Sequence, residues 1–206
     1  MPPIRSFPPV AGEDALLLLL GSMPGEASLR AGQYYANPRN AFWPILEVVL
    51  GIPGNLPYGE RLRALVKCRV ALWDVLASCV RETSQDARID DSTMVPNDFL
   101  SFFAAHGGIR MVFFNGAKAE QAYRRHVLPA LPPSFGSLPL VRLPSTSPAH
   151  AGKTFLEKAA AWGIVGESLE NCAANGRVGP LQETGGGKRR VLPVAAGSNF
   201  LSSPRQ

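Results

Sequence analysis

Cysteine and histidine are both scarce in this sequence, with three residues of each. The cysteines, Cys68, Cys79 and Cys172, are an odd number at unrelated spacings. Such spacings fit neither a disulfide framework nor a zinc site. The histidines do not complete a ligand set with them. We therefore expect no bound metal.

Long apolar runs are absent as well. No stretch reaches the roughly 18 apolar residues that a membrane-spanning helix needs. The longest run, residues 15–20, has the length of a buried strand. Residues 1–5 lack the apolar segment of a secretion signal. These absences predict a cytoplasmic protein without a membrane partner.

The balance of charged and apolar residues is that of a globular domain. Charged residues make up 18% of the 206 residues and hydrophobic residues 46%. The net charge of +5 permits nucleic-acid binding without indicating it, because the excess is small and evenly spread. We expect the proline-rich residues 1–11 to be flexible and residues 12–166 to form one domain. Residues 167–206 are expected to be a flexible basic tail, either dispensable or attracted to phosphates.

Short apolar segments alternate with amphipathic ones along the domain. Short, largely apolar segments predict strands at residues 15–20, 70–73, 111–114 and 138–143, of which the first is an unbroken run typical of a buried strand. Helical spacing predicts helices at residues 41–50, 58–67, 98–105, 117–127 and 154–162. This order predicts an α/β fold, a three-layer α/β/α sandwich with a short, central, mostly parallel four-stranded sheet. Ligands bind beyond the carboxyl ends of such strands, so the loops starting at Gly21, Asp74, Asn115 and Pro144 are candidate site loops.

Two of these loops carry recognisable motifs. The first contains Gly21-Ser-Met-Pro-Gly25 and then Pro38-Arg-Asn-Ala-Phe-Trp43, and the second is Leu143-Pro-Ser-Thr-Ser-Pro-Ala-His150. Together with Trp73–Cys79 and Phe114–Gly116, they make residues 14–163 resemble the uracil-DNA glycosylase superfamily. Within it, the sequence is most similar to the DNA-deoxyinosine (hypoxanthine-DNA) glycosylase branch. Each motif follows a predicted strand, in the order that the superfamily shows.

The resemblance implies a DNA repair enzyme that extrudes a deaminated base from double-stranded DNA. The expected reaction is hydrolysis of the N-glycosidic bond of deoxyinosine, which releases hypoxanthine, leaves an abasic site and needs no cofactor. No lysine lies within the two main motifs, which argues against a lyase step through a Schiff base. We expect the enzyme to act as a monomer.

Tyr35 and Asn40 are the central site candidates of the first motif. Tyr35 falls where the relatives keep an aromatic ring that stacks on the extruded base. The alternative is that it packs the loop, as Tyr34 would. Asn40 is the expected catalytic residue, because its neutral amide can hold water or touch the base. It also stands where the N-cap of the following helix would lie.

Four further residues are expected at the base. The Asp74 carboxylate would accept from the N1–H of hypoxanthine and repel the bare N1 of adenine; alternatively, Asp74 caps the turn at Val75. Asn115 either contacts the base or is a turn residue with positive φ. Ser22 and Met23 complete this set.

A second group of candidates is expected to bind the DNA backbone through amides, hydroxyls or positive charge. Its members are Gly25, Ser28, Arg39, Ser145, Ser147 and His150. Two of them have structural alternatives. Arg39 would pin its own loop by bonding carbonyl groups, and a lone histidine such as His150 is more often structural.

Two departures from the superfamily pattern bear on the substrate. Met23 stands where many members carry Asp or Asn, and Leu143 where many carry His or Asn. Both weigh against efficient uracil excision. Two alternatives stay open: a glycosylase for uracil or thymine opposite guanine, and a domain that binds lesions without cutting them. An unrelated α/β hydrolase is remote, because the sequence has no Gly-x-Ser-x-Gly motif.

Overall fold

The computed structural model describes residues 2–81 and 89–175. Its strands are β1 (Ile4–Arg5), β2 (Leu17–Gly21), β3 (Val70–Asp74), β4 (Leu76–Cys79), β5 (Val95–Pro96), β6 (Met111–Asn115) and β7 (Leu140–Leu143). Its helices are α1 (Glu26–Ala31), α2 (Phe42–Leu50), α3 (Tyr58–Lys67), α4 (Phe99–Ala105), α5 (Ala117–Ala122), α6 (Pro133–Gly136) and α7 (Phe155–Asn175). A π-helical turn, Tyr123–Val127, extends α5, so the helix predicted over residues 117–127 is present in two forms.

The central sheet has the order β3-β2-β6-β7, and every neighbouring pair is parallel. Leu17 to Leu20 are all buried, because β2 is covered on both faces. Leu17 and Leu19 pack with α2, α3 and α7, while Leu18 and Leu20 pack with α4 and α5. The predicted three-layer sandwich with a parallel four-stranded sheet is confirmed.

A second, antiparallel sheet with the order β1-β4-β5 was not expected from the sequence. β4 begins two residues after β3 ends, and its residues are partly polar and too few to show a clear period. The loop over residues 22–40, for which no helix was predicted, also contains α1. Both elements are short, and tertiary contacts rather than local pattern stabilise such elements.

The N-terminal segment differs from the expectation that residues 1–11 are flexible. Ile4 and Arg5 pair with β4, and Val10 exchanges backbone hydrogen bonds with Leu72, at 2.9 and 2.8 Å. The carbonyl of Phe7 accepts from the Trp73 indole at 3.1 Å. The prolines of this segment do not prevent its pairing, because the backbone amides that donate belong to residues such as Ser6 and Val10 and not to a proline.

The predicted domain end at residue 166 falls inside α7, which continues to Asn175. The reason is that the apolar spacing of Trp162 and Val165 continues at Leu169 and Cys172, which pack against the same side of the core. Residues 176–206, the larger part of the predicted tail, lie outside the described residues.

Within residues 2–81 and 89–175, no helix is long and apolar enough to span a bilayer. The same residues contain no group of three or more His, Cys, Asp or Glu side chains that could hold a metal ion.

Two glycines of α7 allow a matched test of helix packing. A Cβ at Gly166 would lie 2.8 Å from the carbonyl oxygen of Val49 in α2, whereas a Cβ at Gly163 would meet nothing within 4 Å. We predict that Gly166→Ala lowers the free energy of unfolding by about 1–3 kcal/mol through overpacking. Gly163→Ala should raise it by about 0.5–1 kcal/mol through helix propensity. Urea unfolding of both variants measures the difference, and equal effects would contradict the packing of α7 on α2.

Candidate active site

A cleft of about 740 Å³ opens at the carboxyl ends of the central strands. This is the edge at which parallel α/β sheets bind ligands. All twelve residues predicted for the site line it: Ser22, Met23, Gly25, Ser28, Tyr35, Arg39, Asn40, Asp74, Asn115, Ser145, Ser147 and His150. The structure therefore brings the two motif loops and the ends of β3 and β6 together. The role of each residue stays a prediction.

The Tyr35 ring is held against the core on one side. It stacks on Phe42 with ring centroids 3.8 Å apart and planes 16° apart. Its backbone is left-handed, with φ +55°, which is uncommon for an aromatic residue and indicates a local constraint. The amide of Ala36, next in the chain, donates to the Ser28 hydroxyl at 3.2 Å. Tyr35 is thus a half-buried ring, lining the cleft and backed by Phe42.

Asp74 ends β3, is buried, and lies directly beside Gly21 of β2 in the sheet register. Its Oδ2 accepts a hydrogen bond from the Ser6 hydroxyl at 2.7 Å. A Cβ at position 21 would overlap Asp74 Oδ1 and approach the Tyr35 hydroxyl to 3.0 Å, so the carboxylate needs glycine there. The sequence left open that Asp74 caps the turn at Val75. In the structure the Val75 amide donates to the backbone carbonyl of Gly21, at 2.8 Å.

Asn40 lies just before α2, whose N-cap is Ala41 and not the predicted Asn40. Its Oδ1 accepts from the Phe42 amide at 3.0 Å, which supports the first turn of the helix. Next to it, the Ala41 amide donates to the Thr146 carbonyl at 3.0 Å and joins the two motif loops. Among residues 2–81 and 89–175, none accepts a hydrogen bond from Asn40 Nδ2. The donor half of the amide is therefore available in the cleft.

The side chain of Asn115 bonds the second motif loop. Its Nδ2 donates to the Thr146 hydroxyl and its Oδ1 accepts from the Thr146 amide, both at 2.8 Å. This pair of bonds uses both ends of the amide, so the geometry favours a role in holding the second motif loop. The positive φ, +98°, belongs to Gly116 instead, where Ser145 Cβ would lie 2.9 Å from an added Cβ.

The side chains predicted to bind the DNA backbone have three different settings. Ser28 is buried, and its hydroxyl accepts from the Ala36 amide. This hydroxyl therefore holds the backbone of the loop in place. Arg39 and His150 are exposed at the cleft. Ser145 and Ser147 have the third setting, in which each hydroxyl bonds the backbone of its own loop. The Ser145 hydroxyl accepts from the Ser147 amide at 3.2 Å, and the Ser147 hydroxyl accepts from the Ala149 amide at 3.3 Å.

Comparison with known proteins identifies the family. A model of the uracil DNA glycosylase superfamily matches residues 8–166, more than half of the chain. The chain belongs to the uracil DNA glycosylase superfamily. The predicted membership is confirmed.

Three relatives agree with this placement in the superfamily. A Hypoxanthine DNA glycosylase from Methanosarcina barkeri is 37% identical over 118 residues, 57% of this chain and 73% of the relative. Another from Methanosarcina acetivorans is 36% identical, over 61% of this chain and 84% of the relative. The solution NMR structure of a Methanosarcina acetivorans protein assigned to the uracil DNA glycosylases has a TM-score of 0.67 and 33% identity. That alignment covers 82% of this chain and 99% of the other.

Three residues of this glycosylase cleft were missed in the sequence. Thr146 is buried between the two predicted serines, and only its bonds to Asn115, 31 positions away, reveal its part in the loop. Lys118 reaches the cleft from α5, with its Nζ 2.7 Å from Asp91. Asn37 lines the cleft and accepts from the Arg39 amide at 2.9 Å. For Asn37 the sequence did offer a local pattern. An Asn two residues before Arg39 in a proline-containing loop is typical of a turn in which the Asn side chain bonds the backbone.

Tyr34 lies under the cleft of the glycosylase and is shielded from solvent. Its hydroxyl lies 3.3 Å from the carbonyl oxygens of Phe7 and Pro8, to which it donates. Burial, and secondarily the charge of Asp74, raises the pKa of Tyr34 far above its usual value. Burial likewise raises the pKa of Tyr123. Both phenols therefore stay protonated in the folded protein at alkaline pH.

These raised pKa values predict a loss of stability in alkali. Above about pH 10 the unfolded chain releases the two phenolic protons and the folded chain keeps them, so rising pH favours unfolding. Each group should contribute a slope of about 1.4 kcal/mol per pH unit. Urea unfolding between pH 8 and 11 measures this slope, which should be smaller by one proton in Tyr34→Phe. Equal slopes in both proteins would contradict the buried, protonated Tyr34.

Proposed function

We propose that this chain hydrolyses the N-glycosidic bond of deoxyinosine in DNA, releasing hypoxanthine and leaving an abasic site. One observation carries the choice of substrate: the buried Asp74 carboxylate lies beside the Tyr35 ring at the cleft. The two Methanosarcina relatives, named Hypoxanthine DNA glycosylase, support the same substrate.

Base recognition follows from the two groups that flank Gly21. A base must leave the duplex to reach them, because its edge is paired and its faces are stacked inside the helix. The Tyr35 ring, which lines the cleft, would stack on the extruded purine, and ring stacking contributes about 1–3 kcal/mol per base. An ionised carboxylate only accepts hydrogen bonds. Asp74 therefore suits the N1–H of hypoxanthine and repels the N1 lone pair of adenine.

Two apolar residues at motif positions support a purine rather than uracil. Met23 is buried and packs in the core beneath the cleft, where it offers an apolar wall and no acceptor for water. Leu143 is also buried, and its backbone carbonyl accepts from the Gly116 amide at 3.0 Å. Neither side chain offers a uracil carbonyl a strong donor.

Asn40 is the proposed catalytic residue. The transition state resembles an oxocarbenium ion, with positive charge on the sugar and negative charge on the departing base. The available Nδ2 of Asn40 donates either to the departing purine or to the attacking water. The bond to the purine strengthens as negative charge develops on the base, whereas a bond to the water would only position it. The phosphates of the DNA stabilise the positive sugar. No step of this hydrolysis requires a cofactor.

Lys118 does not supply a lyase step in this proposal. A Schiff base needs a neutral amine near the sugar. The Lys118 ammonium instead donates to Asp91 at 2.7 Å, and Asp91 also pairs with Arg125 at 3.4 Å. The protein is therefore proposed to be monofunctional.

The strandedness of the DNA substrate, the oligomeric state and the cellular location of the protein stay predictions. We propose double-stranded DNA with one deaminated base as the partner, since the exposed Arg39 and His150 lie beside the cleft and suit phosphates. Action as a monomer, a cytoplasmic location and the absence of a membrane partner are likewise proposed from the sequence.

The activity test uses duplexes that carry one deoxyinosine or one deoxyuridine, followed by alkaline cleavage of abasic sites. We predict cleavage at inosine and little at uracil. Asn40→Ala should lower the single-turnover rate by about a hundredfold or more, the usual size for one electrostatic donor. Cleavage at uracil alone would contradict the substrate. Tight binding without cleavage of either would contradict the enzyme and support a lesion-binding domain.

Two controls separate catalysis by Asn40 from its support of α2. Asn40→Asp keeps an oxygen for the Phe42 amide but removes the Nδ2 donor. This variant should stay folded and inactive, because the donor is what the proposal requires. Asn37→Ala removes a similar side-chain bond, to the Arg39 amide, from the same loop and should keep most of the activity. Full activity in Asn40→Asp would leave Asn40 with only its bond to the Phe42 amide and contradict its catalytic role.

A further inference from the structure

The segment from Ile4 to Val10, here called the N-terminal strap, crosses the edge of both sheets. β1 pairs with β4 in the register Ile4 with Cys79 and Arg5 with Ser78. The Ser6 amide then donates to the Ala77 carbonyl at 2.9 Å. At its other end, Val10 forms an antiparallel bridge with Leu72 in β3. Backbone bonds on both sides of Ser6 therefore determine where its side chain lies.

The strap contacts the two residues that end β3 on the cleft side. The Phe7 carbonyl accepts from the Trp73 indole at 3.1 Å, and the Ser6 hydroxyl donates to Asp74 Oδ2 at 2.7 Å. Asn97 adds a bond from its Nδ2 to the backbone carbonyl of Asp74, at 2.8 Å. The backbone and the carboxylate of Asp74 are thus held by separate partners, and Ser6 holds the carboxylate from outside the cleft motifs.

We propose that Ser6 is a positioning residue that sets the base preference of the cleft through Asp74. The inference rests on the proposed function, since it assigns Asp74 to the N1–H of the extruded base. Ser6 itself does not line the cleft. It also bonds to Tyr34, but Asp74 is the acceptor of its hydroxyl to which we assign the effect on the base.

The physical basis is the polarity of the Ser6 bond. A hydroxyl that donates to a carboxylate oxygen favours the ionised form, which only accepts hydrogen bonds. Without this donor, a buried carboxyl group shifts toward its protonated form, because burial disfavours the charge. A protonated Asp74 carries an O–H that suits a bare N1. The phenols of Tyr34 and Tyr58 lie within electrostatic range of Asp74, and a phenol brings no positive charge.

The test compares two purines that differ at N1. Duplexes carry one hypoxanthine, which has N1–H, or one unsubstituted purine, whose N1 is a bare acceptor. Single-turnover release rates are measured for the full-length wild type, Ser6→Ala, Ser6→Thr and the exposed strap control Arg5→Ala. Melting temperatures of all four proteins report whether the strap still packs.

We expect Ser6→Ala to lower the ratio of the hypoxanthine rate to the purine rate about tenfold or more, as for loss of a bond to a charged group. Ser6→Thr should restore most of the ratio, because it keeps a hydroxyl. Arg5→Ala should leave the ratio unchanged. If Ser6→Ala lowers both rates equally, or leaves both unchanged, Ser6 is only structural and the proposal is overturned. A wild type that releases no hypoxanthine would instead overturn the proposed function, and the role of Ser6 with it.

Discussion

Parallel hydrogen bonding of β2 to β3 and β6 determines where every functional side chain lies. The register sets Gly21 beside Asp74 and sets Leu20 beside Phe114, the residue before Asn115. Because the strands are parallel, their carboxyl ends share one edge, and the loops that follow them form the cleft. The burial of Leu17 to Leu20 on both faces of the sheet stabilises this register. A slip of one residue would move Gly21 away from Asp74 and place a Cβ against the carboxylate.

Hydrogen bonds made by loop residues then hold the loops of the cleft in defined conformations. Asn115 holds Thr146 at two points, Ala41 joins that loop to α2, and Ser28 supports the backbone next to Tyr35. Such bonds satisfy the buried polar groups that loops would otherwise leave unpaired. The same bonds limit which residues meet DNA. A side chain whose polar atoms are already engaged positions its neighbours, whereas the Nδ2 of Asn40 remains available in the cleft.

Local pattern was sufficient for the central sheet, and the resemblance of the two motif loops to the superfamily predicted which residues line the cleft. Fully buried parallel strands show unbroken apolar runs, and site residues follow them directly, so residues 15–20 and the loop after Gly21 were predictable. The contacts made over long sequence distances were not. Ser6 and Asp74 are 68 positions apart, and no short-range pattern connects them. The strap was misjudged for this reason, and the end of α7 because the sequence after residue 166 was interpreted as the start of the tail.

The central claim is that Asp74 accepts from N1–H of an extruded hypoxanthine that stacks on Tyr35. A crystal structure of the wild-type protein with a duplex containing one 2′-fluoro-deoxyinosine tests it most directly, because the fluorine disfavours the oxocarbenium transition state and preserves the bond. The account predicts the base out of the helix, its ring on Tyr35, and N1 within about 3.2 Å of an Asp74 carboxylate oxygen. An extruded base whose N1 contacts another residue, with Asp74 bonded only to protein, would contradict it.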